Sequence, residues 1–326
     1  MAGNLTGLQT VQAGKETTWG TSATATAKLM GVEEIKIESQ GGAALLKEMR
    51  GSLAPAYNAI RKINFGKASM KGFATYEDLC YYLESLLGDV TPSGAGPYVR
   101  AGAAPLTAVA TNRMMTLYDG QSTDVYKLLG AVVNKLVISG KTGEEWKFAA
   151  DLIGKQKTTG ALAALSDRAV TPIEGGDTLL YIDAWDGTIG TTAIATLATA
   201  FELSIDLGTA VRHYLGSLLP GRYRQKKAEP GSVTLKLSLE FDATSKAYLD
   251  SFLTYAAVLQ HQVRIKGTAG ASAIAQLDFA GTIVGEPAMS EEDGVYMLDL
   301  NYQGTYNPTL ANYFKYSITN SVASLP

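Results

Sequence analysis

Two histidines and a single cysteine are the side chains of this 326-residue chain best suited to acid–base or nucleophilic chemistry. His213 lies between Arg212 and Tyr214 in a polar, glycine-bearing stretch, where contact with another surface suits it better than proton transfer. His261 opens a strand-forming run and reads as a structural imidazole. Neither stands at metal-ligand spacing from an aspartate or glutamate. Cys80 falls among the apolar residues of a helical pattern, a core position rather than a nucleophile's. Gly14-Lys15-Glu16-Thr17 has the lysine and threonine of a phosphate-binding loop but neither its upstream glycines nor the strand before it. Gly-Ser-Leu-x-Pro occurs twice and is not the Gly-x-Ser-x-Gly of a nucleophile elbow. Trp19, Trp146 and Trp185 are isolated and suit core or interface anchors better than a sugar-binding row. These residues point to no catalytic site, no metal and no cofactor, and the expectation is a protein that is not an enzyme.

Composition agrees with a binding or structural role. Hydrophobic residues make up 46% of the chain and charged residues 18%, with a net charge of -3, so no global charge draws it to nucleic acid. One cysteine excludes an intrachain disulfide and a cysteine metal cluster. No apolar run reaches the ~18 residues of a membrane span. The N-terminal stretch lacks the basic and apolar regions of a signal peptide, so synthesis and retention in the cytosol are expected. The length suggests about two domains, and 34 glycines with many Thr, Ser and Val favour β structure rich in turns.

The elements that must position these residues are mostly strands. Residues 1–30 are polar and weakly patterned and read as an arm that needs a partner surface to become ordered. Val32–Glu38 alternates as a half-buried strand does. A polar stretch follows over 39–60. Ala74–Gly88 reads as a helix capped by Thr75, with Asp78 in its first turn, Gly88 at its end and Leu79, Tyr82, Leu83 and Leu86 on its apolar face. Residues 89–112 read as loop, and 132–139 with 146–153 as a hairpin. Phe201–Asp206 then starts the order again. A basic stretch over 207–230 precedes Ser232–Phe241, where Val233, Leu235, Leu237, Leu239 and Phe241 share one face. Asp242–Leu253 reads as a capped helix, and 277–285 with 295–304 as a closing hairpin around an acidic turn.

The repeat is visible at residue level. Gly51 and Gly216, which open the two Gly-Ser-Leu-x-Pro copies, lie about 165 residues apart. Gly66-x-Ala-Ser-Met-Lys answers Gly231-x-Val-Thr-Leu-Lys, and Tyr82, Leu83, Glu84, Ser85 and Leu86 answer Tyr248, Leu249, Asp250, Ser251 and Phe252. Several matches in one order argue for internal duplication. The expected organisation is an arm over 1–30, a first domain over 31–170 and a second over 171–326, with the Pro- and Gly-bearing 171–176 at the boundary.

QAGKETTWGT near the start, TLLYIDAWDGTIGTTAIATLATAFELSID, VTLKLSLEFDATSKAYLDSFL and the closing MSEEDGVYMLDLNYQGTYNP together resemble the tail tube (major tail) proteins of long-tailed, non-contractile bacteriophages. The resemblance covers most of the chain and lies in the order of these stretches rather than in one motif. It implies a mainly β fold: two duplicated tail-tube-like β-sandwich or barrel domains, each with one flanking α-helix and a long inter-strand loop. It implies a structural virion protein that self-assembles into stacked rings around a DNA channel. Two domains per chain would make a ring of six from three copies; a homohexamer is the alternative. The implied partners are further copies of itself and the tail terminator, tape measure and baseplate proteins. Phage DNA would pass through the lumen without specific binding, and no membrane is involved. The implied location is the virion tail, assembled in the host cytoplasm. Other readings are a tube-like baseplate or tail-tip ring protein, or a β-sandwich module that binds a carbohydrate or receptor.

The same resemblance assigns roles to the long loops. Arg50, Gly51, Ser52, Leu53 and Pro55 in the first, and Arg212, His213, Gly216, Ser217, Leu218, Pro220, Arg222, Arg224, Lys226 and Lys227 in the second, would touch neighbouring subunits or the next ring. Glu144, Glu145, Glu291, Glu292 and Asp293 would be acidic lumen residues or inter-ring partners of the basic run. Solvated loop charge is the plain alternative, and a DNA grip ranks last, because phosphate contacts would slow passage.

Overall fold

The structure, a computed structural model, describes residues 8–48, 50, 56–107, 111–121, 124–194, 197–225, 232–254 and 258–325. It is mainly β. In chain order the first half contains β1 (Thr10–Lys15), β2 (Ala27–Lys28), β3 (Val32–Ser39), β4 (Ala43–Leu46), β5 (Asn58–Arg61), β6 (Gly66–Phe73), α1 (Leu79–Leu87), β7 (Tyr98–Ala103), β8 (Met115–Gln121), β9 (Asp124–Lys141), β10 (Lys147–Gly154) and β11 (Gln156–Thr159). The second half contains β12 (Thr178–Ala184), β13 (Ala198–Asp206), β14 (Thr209–Arg212), β15 (Arg222–Gln225), β16 (Ser232–Glu240), α2 (Ala243–Leu253), β17 (Gln260–Thr268), β18 (Ile274–Ile283), β19 (Ala288–Glu292), β20 (Val295–Gly304) and β21 (Phe314–Asn320).

Antiparallel pairing assembles these strands into one long front sheet and two back layers. The front sheet runs β3-β6-β10-β9-β13-β16-β20-β19. Alternation explains its two faces: Val233, Leu235, Leu237 and Leu239 of β16 are buried, while Lys236 and Glu240 stand exposed on the other side. The same period buries Ala68 and Met70 of β6 and Phe148, Ala150 and Leu152 of β10. Behind the first half lie β2-β1-β8-β9-β11, and behind the second β12-β17-β18-β21-β7. The core fills the space between.

β9 serves both layers of the first half. Its early residues pair with β8 and β11, and its later ones with β10 and β13. The change falls at Gly130, whose φ of 66° is a left-handed conformation open chiefly to glycine. A Cβ there would also lie 2.5 Å from Trp19 Nε1, which donates to the Gly130 carbonyl at 2.8 Å. An isolated glycine inside a strand pattern is the signal for such a bend.

α1 is shorter than the sequence suggests. It starts at Leu79, because residues 76–78 form a turn in which the Thr75 hydroxyl accepts from the Asp78 amide at 3.0 Å. Asp78 points away from the helix to Arg168 and to the amides of Met30 and Gly31. Every α1 residue is buried, and each leucine so removed from water contributes about 1.5–3 kcal/mol. Glu84 is buried with them, 2.7 Å from Arg113 and 3.3 Å from Arg100. Burial pushes its carboxyl up to about 7 despite both guanidinium groups. Those arginines also donate to the Leu325 and Ala323 carbonyls, tying the chain's last described segment to the first helix. α2 is capped as expected, with Asp242 and Ser245 forming a reciprocal capping box. In α2, though, only Ser245 is fully buried.

Other expectations shift. Residues 8–30 do not wait for a partner surface. β1 pairs with β8 and β2, and Glu16, buried in the chain's own fold, accepts from Gly20 N, Gly130 N and Thr116 Oγ1 at 2.6–2.8 Å. The 89–112 stretch contains β7, which joins the second half's back layer beside β21. The 171–176 stretch is packed rather than a free linker: Ile173 is buried and exchanges backbone bonds with Ala74 and Trp146. The acidic turn of the closing hairpin is mostly the strand β19, and only Asp293-Gly294, both at positive φ, make the turn. β18 and β20 pair over just Gly281–Ile283.

His261 sits edge-on to Tyr248 and Tyr302, with the Tyr302 hydroxyl 3.3 Å from Nδ1. Burial lowers its pKa from 6.5 to about 4.

Two predictions follow from this packing. Gly130→Ala should cost about 2 kcal/mol or more, from left-handed strain plus the indole clash, read as a lower urea midpoint with a red-shifted Trp19 emission. A stable variant with native emission would contradict the Trp19–Gly130 contact. His261 is neutral in the fold, whereas the unfolded chain takes up a proton below pH 6.5. Its contribution is present above 6.5 and is lost as pH falls through about 4. The urea midpoint of His261→Phe should therefore fall less between pH 7 and pH 4.5 than that of the native chain.

Candidate functional site

Strand direction sorts the front sheet's connections to two ends. At one end lie the turn between β9 and β10 and the turn between β19 and β20. They carry Glu144, Glu145, Glu291, Glu292 and Asp293, so the acidic residues expected to act together are at least on one rim. Two of them are met within the chain: Glu144 pairs with Lys147 at 2.6 Å, and Glu292 with Lys141. The ammonium of Lys147 holds Glu144 below the usual carboxylate range. At the other end stand the β4–β5 and β14–β15 hairpins, with Arg61, Lys62, Arg212, Arg222 and Arg224. One rim is therefore acidic and the opposite rim basic.

The two hairpins differ in their surroundings. β14–β15 lies against the first half. Leu218 O accepts from Asn64 N at 2.8 Å, His213 Nε2 is 3.3 Å from Asn64 O, and the imidazole meets Phe65 edge-on. Tyr223 packs on Trp19 with ring centroids 5.9 Å apart. His213 is thus a contact residue, engaged inside its own chain. Within the same hairpin Ser217 and Gly216 turn the tip, Pro220 is buried, and Arg222 lies over the Tyr214 ring. β4–β5 is exposed on both faces, with Leu45 66% and Ile60 52% accessible. Arg50 pairs with Glu48 and lies 4.7 Å over the Tyr57 ring. Gly51, Ser52, Leu53, Pro55, Lys226 and Lys227 lie outside the described residues, so the first Gly-Ser-Leu-x-Pro has no structural account.

Sequence reasoning did not identify the strands at the sheet's two outer edges. Among the described residues β3 pairs with β6 alone and β19 with β20 alone, so each shows a row of backbone groups without a described strand beside it. Between them the halves are joined by β9 and β13, paired from Lys135–Asp206 to Lys141–Ala200. The signal lay in Phe201–Asp206, whose alternation is that of a sheet strand, but sequence does not say which strand lies beside it.

The exposed face of the front sheet is polar and largely self-neutralised. Lys71 pairs with Glu34 at 2.6 Å and Lys236 with Glu202 at 3.5 Å, and Lys135 is flanked across the strands by Asp151 and Asp206. Exposed pairs of this kind are each worth about 0–1 kcal/mol; they set the field over the face more than they hold the fold.

The reactive side chains are engaged otherwise. Cys80 is buried, donates to Glu77 O at 2.9 Å, and has its thiol pushed up to about 12 by burial. Gly14 lies inside β1 with Thr24 O against it, and Lys15 pairs with Asp89. Among the described residues no group of three or more His, Cys, Asp and Glu is placed to hold a metal, and no helix is long and apolar enough to cross a membrane.

The described residues thus form a mainly antiparallel β fold with two open sheet edges, protruding hairpins and oppositely charged rims. No curated protein matches the chain. A family model described as phage tail tube protein matches residues 7–304, reaching across both halves. The chain belongs to the phage tail tube protein family, structural proteins of the virion tail.

Proposed function

We propose that this chain is a two-module ring subunit: three copies close a ring, and rings stack into the conduit through which DNA leaves the capsid. The observation that carries the reading is the β9–β13 pairing, which joins the halves while leaving β3 and β19 open at the far edges of one sheet. The halves run through matching elements, strand, tryptophan loop, strand, hairpin, strand, helix and five further strand segments, which supports their descent from one duplicated module. On that equivalence β10 matches β20 and the end of β9 matches β19, so β19 of one copy stands to β3 of the next as β9 stands to β13. The implied register sets Met289 opposite Val32 and Ala288 opposite Glu34. A ring abolishes both edges. Stacking is a head-to-tail contact that does not close, and the opposite charges of the two rims favour it. The tube's ends and lumen are then where terminator, baseplate and tape measure proteins would meet it, in a long-tailed phage assembled in the host cytoplasm.

End-on electron microscopy of the concentrated protein should show rings with three chains and six modules; a strictly monomeric protein under all salt conditions would overturn the proposal. Deleting residues 45–56, or reversing charge at Arg222, Arg224, Lys226 and Lys227, should leave the subunit's unfolding curve unchanged and abolish tubes. Tubes of native length from either variant would remove the loops from assembly.

A further inference from the structure

The β14–β15 hairpin has a seat on its own chain, and the β4–β5 hairpin has none among the described residues. The seat of β14–β15 is the loop after β1, where Trp19 is fixed by its bond to Gly130 O and Glu16 staples Gly20. The second half builds a comparable loop after β12. Asp183 accepts from Gly190 N at 2.6 Å and Thr192 N at 2.8 Å, and Gln262 donates to the carbonyls of Ala184, Trp185 and Gly187 at 2.7–3.1 Å. Asn307 adds a bond to Trp185 O at 2.6 Å. These bonds tie the loop's backbone down, and Trp185 on it is half-buried, with no hairpin of its own chain over it among the described residues. The strands on either side match as well: Thr26 N and Leu29 N bond back to β1, and Ile182 N and Ile194 N tie Thr192 and Ile194 to β12.

We propose that the β4–β5 hairpin of one copy docks on the Trp185 loop of the neighbouring copy in the same ring. This rests on the ring reading. Position supports it: β14–β15 leaves the sheet beside β13 and crosses the β9–β13 junction onto the Trp19 loop. β4–β5 leaves beside β3, the edge that a neighbour's β19 would adjoin, and the same lateral reach carries it onto that neighbour's second half. Chemistry supports it too. An isolated two-stranded hairpin is marginal in water, and this one exposes Leu45, Ile60 and, at its base, Ile63 (52% accessible). Such apolar side chains beside an indole on a tethered backbone form a small hydrophobic contact of the kind that dominates interfaces. Trp185 is then an interface anchor, and the hairpin an arm that threads one subunit to the next.

Residue equivalence supplies the test. At the 165-residue offset of the repeat the pair Leu46–Asn58 answers the pair Val211–Tyr223, so Asn58 takes the place of the residue that meets Trp19. A chain carrying Asn58→Cys and Asp186→Cys, assembled and oxidised, should run as covalent species of two and three chains on a non-reducing gel, with neither single variant exceeding two. Trp185→Ala should raise the concentration needed for rings at least tenfold while its urea unfolding curve matches the native one, and Trp185→Phe should recover most of the loss. Rings seen by microscopy whose double-cysteine chains stay single, or that bridge only within one chain, overturn the docking and leave the ring reading standing. Native assembly by Trp185→Ala does the same. If the native protein forms no ring, both readings fall together.

Discussion

A β-strand at the edge of a sheet must do something with its free amides and carbonyls. Here that constraint organises the molecule. The first half could have ended its front sheet at β9, and the second could have begun its own at β13. Instead the two strands pair over seven residues, and the sheet runs on across the junction. Two further ties hold the halves in this relation. β7, inserted after the first helix, adds to the second half's back layer, and Arg100 and Arg113 bring the C-terminal segment onto Glu84. The junction also brings Trp146 against Phe201, with ring centroids 4.9 Å apart. What the chain solves internally once it leaves unsolved at β3 and β19, and repetition of the same contact is the least demanding solution.

Charge follows from that arrangement. If the front sheet closes, its polar face becomes a lumen. Acidic residues alone would repel DNA but also one another around a narrow ring, and lysines alone would hold phosphates and release counterions on binding. Alternating the signs so that Glu34 meets Lys71 and Glu202 meets Lys236 avoids both costs. The two ion pairs occupy matching places in the two halves: Glu34 and Lys71 face each other across β3 and β6 as Glu202 and Lys236 do across β13 and β16. The rims are neutralised only in part: Glu144 meets Lys147 and Glu292 meets Lys141, while hairpins and turns carry the remaining charges beyond the sheet. In a stack of such rings lateral contacts would rest on backbone pairing, and axial ones on a field that salt can screen.

The strands were legible where one face is buried. Val233 to Leu239 alternates because the front sheet has a core on one side only, and the helix patterns hold because each packs an apolar face. Legibility failed where a polar segment finds its partner far along the chain. Residues 8–30 look unfit to fold alone, and they are; their surface is β8 and Gly130, about a hundred residues on, and no local pattern announces it. The 171–176 stretch has linker composition, yet Ile173 anchors it between Ala74 and Trp146. Of the candidate contact residues, the charges were readable as types but not as places. That Glu144 and Glu291 share one rim, opposite Arg212 and Arg222, follows from strand direction, which the sequence does not state. Which strands stand open could not be read, since an edge is a property of pairing rather than of residues.

The two halves also differ in a way that fits their surroundings. Tyr82, Leu83 and Glu84 of α1 are wholly buried, whereas their counterparts Tyr248 and Leu249 are half-buried and Asp250 is exposed and paired with Lys246. The first helix is covered by what the chain adds around it: the insertion bearing β7, Asn112 and Arg113, and the C-terminal segment. With that cover, a carboxylate at position 84 is removed from water and needs both guanidinium groups; without it, the same place on α2 takes an ordinary surface aspartate. The hairpins divide in the opposite sense, the second covered and the first bare. The additions around the first half lock the fold together, while its hairpin stays bare. On the ring reading that bare hairpin is the one available to another copy, and two modules in identical surroundings would have no reason to differ in both respects.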